Sequence, residues 1–275
     1  MIQNVTSLEM PVDEEFRIVK NHLTHGQGPR ICIVTGTHGD ELEGQYVCYL
    51  IAKMVRENLE HLSGTVDIYP ALNPLGIDSM QRGVPAFDLD MNRIFPGNPR
   101  GSMVEKVAHD IYTDLSGADM VIDIHASNIF LREIPQVRIS EMTAEKLVPS
   151  AKLMGIDFIW IHQAATVLES TLAHSLNSTG TPCLVAEMGV GGRINRPMCQ
   201  HLVDGIAVDS RIESGLVQII KSRETSHHDV LGMLLKHAGN LIGQLHHELQ
   251  VLFVEKAAVG LVDELDTAET GICVL

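Results

Sequence analysis

Apolar runs along the chain alternate with longer stretches in which apolar residues recur at helical spacing. The apolar run at residues 31–35 ends at Gly36, and after a short turn apolar residues return every three or four positions from Val47 to about Asn58. This spacing places the apolar side chains on one face of a helix. The order strand, turn, helix is typical of a parallel sheet with crossover helices.

The same alternation continues through most of the chain. Ser102 followed by Glu105 is a capping box, which predicts the start of a second amphipathic helix. Residues 73–99 are rich in Gly, Pro, Asp and Asn and are predicted to form a long loop, of a length that usually serves a function. Compact apolar runs predict buried strands at 65–69, 120–124, 158–161 and 183–186, with helices near 143–154 and 168–176.

The pattern changes after about residue 207. The sequence predicts a helix from about 208 to 220, a polar link, an apolar stretch to 249 and short strands at 251–254 and 272–275. The apolar positions in this part are too many to remain in water, so we expect them to cover the preceding domain or a second subunit. The predicted organisation is therefore a sheet domain at 1–207 with a C-terminal extension at 208–275, and a homo-oligomer is one possible assembly.

Composition and charge narrow the class of partner. The chain has 275 residues, of which 45% are hydrophobic and 20% charged, as in an ordinary soluble globular protein. Its formal net charge of −15 repels phosphate backbones and anionic lipids, so we expect neither a nucleic acid nor a membrane as partner. Five widely spaced cysteines without a CxxC pair favour reduced thiols, and the first eleven residues do not resemble a signal peptide. We therefore expect a cytoplasmic protein.

Polar side chains follow three of the predicted strands at the edge where ligands of a parallel sheet gather. The first strand leads into His38 and Glu41, a later one into His125, and another into Glu187. Two imidazoles and a carboxylate are the protein ligands of a catalytic zinc, which keeps a fourth position for water. A lone histidine in a loop is usually only solvated or hydrogen-bonded, so the prediction of one zinc per chain depends on the joint pattern.

Four motifs carry a resemblance to a known family: GTHGDE, DLDMNRIFPG, DIHAS and AEMG, in this order and spacing. Together, over roughly residues 30–205, they resemble the aspartoacylase and succinylglutamate desuccinylase branch of the zinc carboxypeptidase superfamily. The resemblance implies a three-layer α/β/α phosphorylase/hydrolase-like fold, with a mostly parallel mixed sheet of about eight strands. It also implies that His38, Glu41 and His125 hold one zinc ion and that Glu187 is the general base.

The resemblance assigns further roles within the long loop. Asn92 and Arg93 match the family's carboxylate-binding pair, and Arg82 matches the arginine that helps to polarise the scissile carbonyl. Arginine suits both tasks because its planar fork binds a carboxylate through two hydrogen bonds and stays charged.

Three more positions are candidates for supporting roles. Asp90 matches a carboxylate that orients a ligating histidine in relatives, and Asp123 is an alternative for the same role. Arg138 lies in a segment that resembles the one following the histidine ligand in many relatives, and it is a candidate for lining the substrate pocket.

The expected function is that of a zinc-dependent hydrolase whose substrate is a small molecule that carries a carboxylate. Zinc-activated water with Glu187 as base would cleave an amide beside a free carboxylate, as in an N-acyl amino acid deacylase. A metallocarboxypeptidase acting on short peptides and a metal-binding regulatory protein without turnover are the alternatives, although retention of Glu187 speaks against the second. The residues after Asp209 do not resemble the β-rich C-terminal domain of longer relatives, so the substrate stays open.

Overall fold

A computed structural model describes residues 1–9, 15–85, 87, 89–163, 168–213 and 271–274. Within these ranges the strands are β1 (Ile2–Glu9), β2 (Glu15–His25), β3 (Arg30–Thr35), β4 (Gly64–Tyr69), β5 (Met120–Ala126), β6 (Glu133–Ser140), β7 (Phe158–His162), β8 (Cys183–Gly189) and β9 (Gly271–Val274). The α-helices of the same ranges are α1 (Glu43–Glu57), α2 (Pro74–Ser79), α3 (Met103–Leu115), α4 (Ala144–Leu153), α5 (Leu172–Ser178) and α6 (Arg196–Glu213).

The described strands form one mixed sheet in the order β1-β2-β4-β3-β5-β8-β6-β7-β9. Its centre is parallel, because β3 pairs in parallel with β4 and β5, and β5 with β8. The pairs β1–β2, β2–β4, β6–β8 and β7–β9 are antiparallel. The expected α/β sheet is confirmed, with nine described strands where about eight were predicted.

Helices cover both faces of the sheet, which explains why its central strands are continuous apolar runs. Successive residues of β3 alternate between two buried clusters: Ile31 and Ile33 belong to one, Cys32 and Val34 to the other. The first cluster includes side chains of α1, α4 and α6, and the second includes side chains of α3 and α5. The three-layer α/β/α architecture is therefore confirmed.

The elements predicted from hydrophobic periodicity correspond closely to the observed ones. Each predicted buried strand coincides with β4, β5, β7 or β8, and the run at 31–35 is β3. The capping box is present, since the Ser102 side chain accepts from the Glu105 backbone N–H and the Glu105 carboxylate accepts from the Ser102 N–H at 2.7 Å. Four described cysteines, at positions 32, 48, 183 and 199, are buried and free.

Three strands and one helix were not predicted. β1 is an edge strand with one buried residue, Thr6, so it has no apolar face to recognise. The buried face of β2 continues from Phe16 and Ile18 into a charged residue, Lys20, which interrupts the apolar alternation. β6 is interrupted by an irregular register. The expected loop at 73–99 contains the short helix α2, which Asn73 caps by accepting a hydrogen bond from the Gly76 N–H at 2.9 Å.

The C-terminal helix begins earlier than predicted. α6 starts at Arg196, so it runs through the expected boundary between residues 207 and 208. β9 pairs with β7, which places residues 271–274 in the sheet. The predictions for the stretch to 249 and for a strand at 251–254 lie outside the described residues. No helix in the described part of the chain is long and apolar enough to cross a membrane.

A buried ionic cluster links β2, β3, β4 and α3. Asp67, 1% exposed, accepts from Arg30 Nε at 2.8 Å, lies 2.7 Å from His22 Nδ1 and 3.3 Å from Lys20 Nζ. Lys20 also binds Asp114 at 2.8 Å. Burial raises the pKa of Asp67, but the hydrogen bonds from Arg30 and His22 and the charge of Lys20 outweigh burial and lower it from 3.8.

Asp67→Asn should therefore destabilise the protein in a pH-dependent way. Removing one partner of a buried charge cluster costs about 3 kcal/mol of unfolding free energy at pH 7. Because the folded-state pKa is depressed, this stability is present above the ordinary value of 3.8 and is lost as the pH falls through the folded-state value. Urea unfolding of the wild type, Asp67→Asn and the exposed control Glu145→Gln would measure it. A difference that stays constant between pH 7 and pH 3 would contradict this account.

Candidate active site

A glycine-containing turn after β3 places the first two candidate ligands at the carboxyl edge of the sheet. Gly36 has φ +73°, a conformation that favours glycine. The Gly39 N–H donates to the Gln81 carbonyl at 3.0 Å, and a Cβ at Gly39 would lie 1.9 Å from the carbonyl carbon of Gly76. Only glycine can therefore bring this turn so close to α2, with His38 and Glu41 beside it.

The three predicted metal ligands lie together in the structure. His38 Nδ1 is 2.8 Å from Glu41 Oε1, and His125 Nδ1, at the end of β5, is 3.0 Å from Glu41 Oε2. One ligand atom from each residue lies within 4.8 Å of the others. All three residues are buried. Both imidazoles therefore direct Nδ1 at a carboxylate that is shielded from solvent.

A second carboxylate lies behind each imidazole. His38 Nε2 is 3.0 Å from Asp90 Oδ1, and His125 Nε2 is 3.1 Å from Asp123 Oδ2. The two aspartates, which the sequence offers as alternatives for one role, therefore face different histidines. Each ring thus has its Nε2 beside an aspartate and its Nδ1 directed at Glu41, and carboxylates in such positions orient histidine ligands in metal sites.

Neighbouring acids dominate the electrostatics of this group. Burial lowers the pKa of His38, but its hydrogen bonds to Asp90 and Glu41 outweigh burial and raise it. The pKa of His125 is also raised, since Asp123 and Glu41 outweigh the effect of burial. Burial alone would raise the pKa of Glu41, but the two histidines hold it well below its usual range. Two imidazoles and a carboxylate, with the buried Asp123 and the half-buried Asp90 beside them, are a donor set that fits a divalent metal.

The predicted base lies on the strand next to His125. Glu187 of β8 is in register with His125 of β5, and its side chain is 14% exposed. Burial raises the pKa of Glu187 to about 7, although the charges of His125 and Arg138 lower it. A carboxylate with a pKa near neutrality suits proton transfer at physiological pH.

A cavity of about 550 Å³ joins the ligand group to Glu187. Nine of the ten predicted site residues line this cavity, and the tenth, Asp90, contacts His38 from behind. Side chains from β7 and α5 line it as well, including His162 and His174. These two histidines were not predicted, because neither lies at the end of a strand that carries a recognisable motif.

The three predicted loop residues differ in what they already contact. Arg82 Nη1 donates to Glu41 Oε1 at 2.9 Å, which places its guanidinium beside the ligand group. Asn92 Oδ1 accepts from the Leu172 N–H at 2.9 Å, so its amide nitrogen is the group left to face a ligand. Arg93 is exposed and donates to the Asn92 carbonyl at 2.8 Å.

Arg138 lines the cavity but is paired with two acids. Its Nη2 donates to both carboxylate oxygens of Glu133, at 2.8 and 2.7 Å, and its Nη1 lies 3.3 Å from Glu187 Oε1. Glu133 also lines the cavity and was not predicted. Residues five apart lie on opposite faces of a regular strand, so the sequence gives no signal that Glu133 and Arg138 meet.

Comparisons with known proteins identify related sequences. The sequence profile of the succinylglutamate desuccinylase/aspartoacylase catalytic domain matches residues 27–208. An N-alpha-acetyl-L-2,4-diaminobutyric acid deacetylase of Halomonas elongata is 35% identical over 112 residues, which are 40% of this chain and 32% of that protein. The matched segment is thus about a third of that relative's length.

Solved structures share the fold. The ectoine utilization protein EutE (DoeB) of Ruegeria pomeroyi superposes with a TM-score of 0.69 at 22% identity, over 77% of this chain and 67% of that one. A succinylglutamate desuccinylase/aspartoacylase of Rhodobacter sphaeroides gives a TM-score of 0.66 at 25% identity, over 77% of this chain and 65% of that one. The chain therefore belongs to the succinylglutamate desuccinylase/aspartoacylase catalytic domain family.

Proposed function

We propose that this protein is a zinc-dependent hydrolase that cleaves the amide bond of an N-acyl amino acid, beside a free carboxylate. One observation carries the proposal: the ligand atoms of His38, Glu41 and His125 and the carboxylate of Glu187 face a single cavity. Membership of a family of deacylases and the match to a deacetylase of Halomonas elongata support the same reaction class.

In this proposal His38, Glu41 and His125 hold one zinc ion per chain. When bound, zinc lowers the pKa of a water molecule and polarises a carbonyl, the two requirements of amide hydrolysis at neutral pH. Asp90 and Asp123 keep the two imidazoles turned so that both Nδ1 atoms remain available. Arg82, whose Nη1 donates to Glu41 at 2.9 Å, has the proposed role of donating to the oxygen of the scissile carbonyl as negative charge develops there.

Glu187 acts as the general base. Its carboxylate accepts a proton from the attacking water and then donates that proton to the leaving amine. Its position in register with His125 puts it beside the ligand group, and burial, which raises its pKa to about 7, lets it both accept and release a proton near neutrality.

The substrate is proposed to be a small molecule that carries a carboxylate. The protein has a net charge of −15, yet Arg82, Arg93 and Arg138 all line this one cavity. Asn92 and Arg93 are the proposed anchor of the carboxylate, since the Asn92 amide nitrogen and the exposed Arg93 guanidinium lie at the same loop. A cytoplasmic location, a homo-oligomeric state and the separate role of residues 208–275 stay predictions.

The first test is hydrolysis of a substrate panel. Purified protein loaded with zinc should release amine from at least one of a set of N-acetyl, N-succinyl and related N-acyl amino acids, and a chelator should abolish the activity, which zinc should restore. Dipeptides in the same panel test the metallocarboxypeptidase alternative. Turnover of dipeptides alone would refute the deacylase assignment, and activity that a chelator leaves unchanged would refute the zinc site.

The second test removes the base while leaving the ligand group intact. Glu187→Gln should lower kcat by about a hundredfold to ten-thousandfold, the contribution typical of a positioned general base. Elemental analysis should find its zinc content equal to that of the wild type, because the substitution alters none of the three ligands. The exposed control Glu145→Gln should match the wild type in both measurements. An unchanged kcat in Glu187→Gln would remove the base assignment.

A further inference from the structure

A bulge in β6 brings two charged residues of that strand together. Glu133 pairs with Gly189 of β8 and Gln136 pairs with Glu187, so three steps along β6 correspond to two steps along β8. One extra residue in a strand is a β-bulge, and it moves the following side chains to the other face relative to those before it. Glu133 and Arg138, five positions apart, therefore lie on the same face as Glu187.

On that face four residues form what we term the Arg138 clamp: Glu133, Gln136, Arg138 and Trp160. Arg138 Nη2 donates to both oxygens of Glu133 at 2.8 and 2.7 Å, and Gln136 Nε2 donates to Glu133 Oε2 at 2.6 Å. The guanidinium carbon lies 4.8 Å from the ring centroid of Trp160, its neighbour in register on β7. A carboxylate on one side and an aromatic face on the other hold the guanidinium in one orientation.

The Nη1 nitrogen of Arg138 lies near the proposed base, Glu187. Arg138 Nη1 lies 3.3 Å from Glu187 Oε1, and in the part of the chain that the structure describes this is the one ion pair of the Glu187 carboxylate. The ion-pair partner of that carboxylate is therefore an arginine that itself contacts Glu133 and Trp160.

We propose that the Arg138 clamp positions the Glu187 carboxylate for proton transfer, and that Arg138 is a positioning residue and not the anchor of a substrate carboxylate. The inference rests on the proposed function. Glu133 already occupies Nη2, so the guanidinium cannot present its two-pronged fork to a substrate. Its positive charge is also balanced by Glu133, which leaves Arg93 as the more available cation.

The two roles predict different kinetics. A substrate anchor acts on binding, so its loss raises KM. A residue that positions the base acts on the chemical step, where a misplacement of about 1 Å costs on the order of a hundredfold in rate. Loss of the clamp should therefore lower kcat with little change in KM.

The test uses Glu133→Gln, which leaves Arg138 itself unchanged. We expect kcat on the best substrate of the panel to fall by about tenfold to a hundredfold, with KM within about twofold and zinc content unaltered. Trp160 is the one tryptophan in the sequence, so its fluorescence reports the clamp without reference to activity. Its emission and its quenching by acrylamide should change in Glu133→Gln. Both should stay as in the wild type in Glu141→Gln, an exposed acid just past β6.

Arg138→Lys is the second variant, and it keeps the positive charge. A lysine offers a single ammonium group and cannot bridge Glu133 and Glu187 with fixed geometry, so we expect the same loss of kcat and no rescue. This variant also decides the question if Glu133→Gln fails to fold by circular dichroism.

Several outcomes would overturn the proposal. A raised KM with unchanged kcat would make Arg138 a substrate anchor. Full activity in Arg138→Lys would show that charge alone suffices, and a loss of kcat in Glu133→Gln without a change at Trp160 would show that the clamp does not carry the effect. A wild type that cleaves no panel member would refute the proposed function and the positioning role with it, whereas an active wild type with unaffected variants would refute the positioning role alone.

Discussion

The site depends on the contacts that surround the buried carboxylate of Glu41. Its two oxygens face His38 Nδ1, His125 Nδ1, the Ala126 N–H and Arg82 Nη1, at distances of 2.8 to 3.0 Å. A carboxylate that is 2% exposed is costly unless such partners surround it. Those partners come from the turn after β3, from the end of β5 and from the loop after α2. The same carboxylate thus stabilises the convergence of these elements and is a candidate metal ligand at the point where they meet.

The sheet supplies the spacing that this convergence needs. Parallel pairing of β3 with β5 and of β5 with β8 brings three strand ends to one edge, so that His125 lies between the turn that carries Glu41 and the strand that carries Glu187. Helices on both faces leave these strands mostly buried, and a rigid sheet holds the side chains at its strand ends more accurately than a loop would. The antiparallel strand β6, added beside β8, then places the Arg138 clamp against the Glu187 carboxylate.

The sequence predicts what depends on local pattern and misses what depends on tertiary pairing. The central strands and the candidate ligands can be predicted because buried apolar runs are followed directly by polar residues. The capping box of α3 can be predicted from the spacing of Ser102 and Glu105. β2 was missed because Lys20 occupies a core position, and it can do so only because Asp67 and Asp114, distant in sequence, neutralise it. The pairing of Glu133 with Arg138 could not be predicted from the sequence either, since it depends on a bulge in the pairing of β6 with β8.

The central claim is that His38, Glu41 and His125 bind one zinc ion through the two Nδ1 atoms. Crystals of the zinc-loaded protein, measured on both sides of the zinc absorption edge, test it most directly. The account predicts one anomalous peak per chain, within bonding distance of His38 Nδ1, His125 Nδ1 and a Glu41 oxygen, with Asp90 and Asp123 still behind the rings. A peak elsewhere, or none at this site in crystals that contain stoichiometric zinc, would contradict the account.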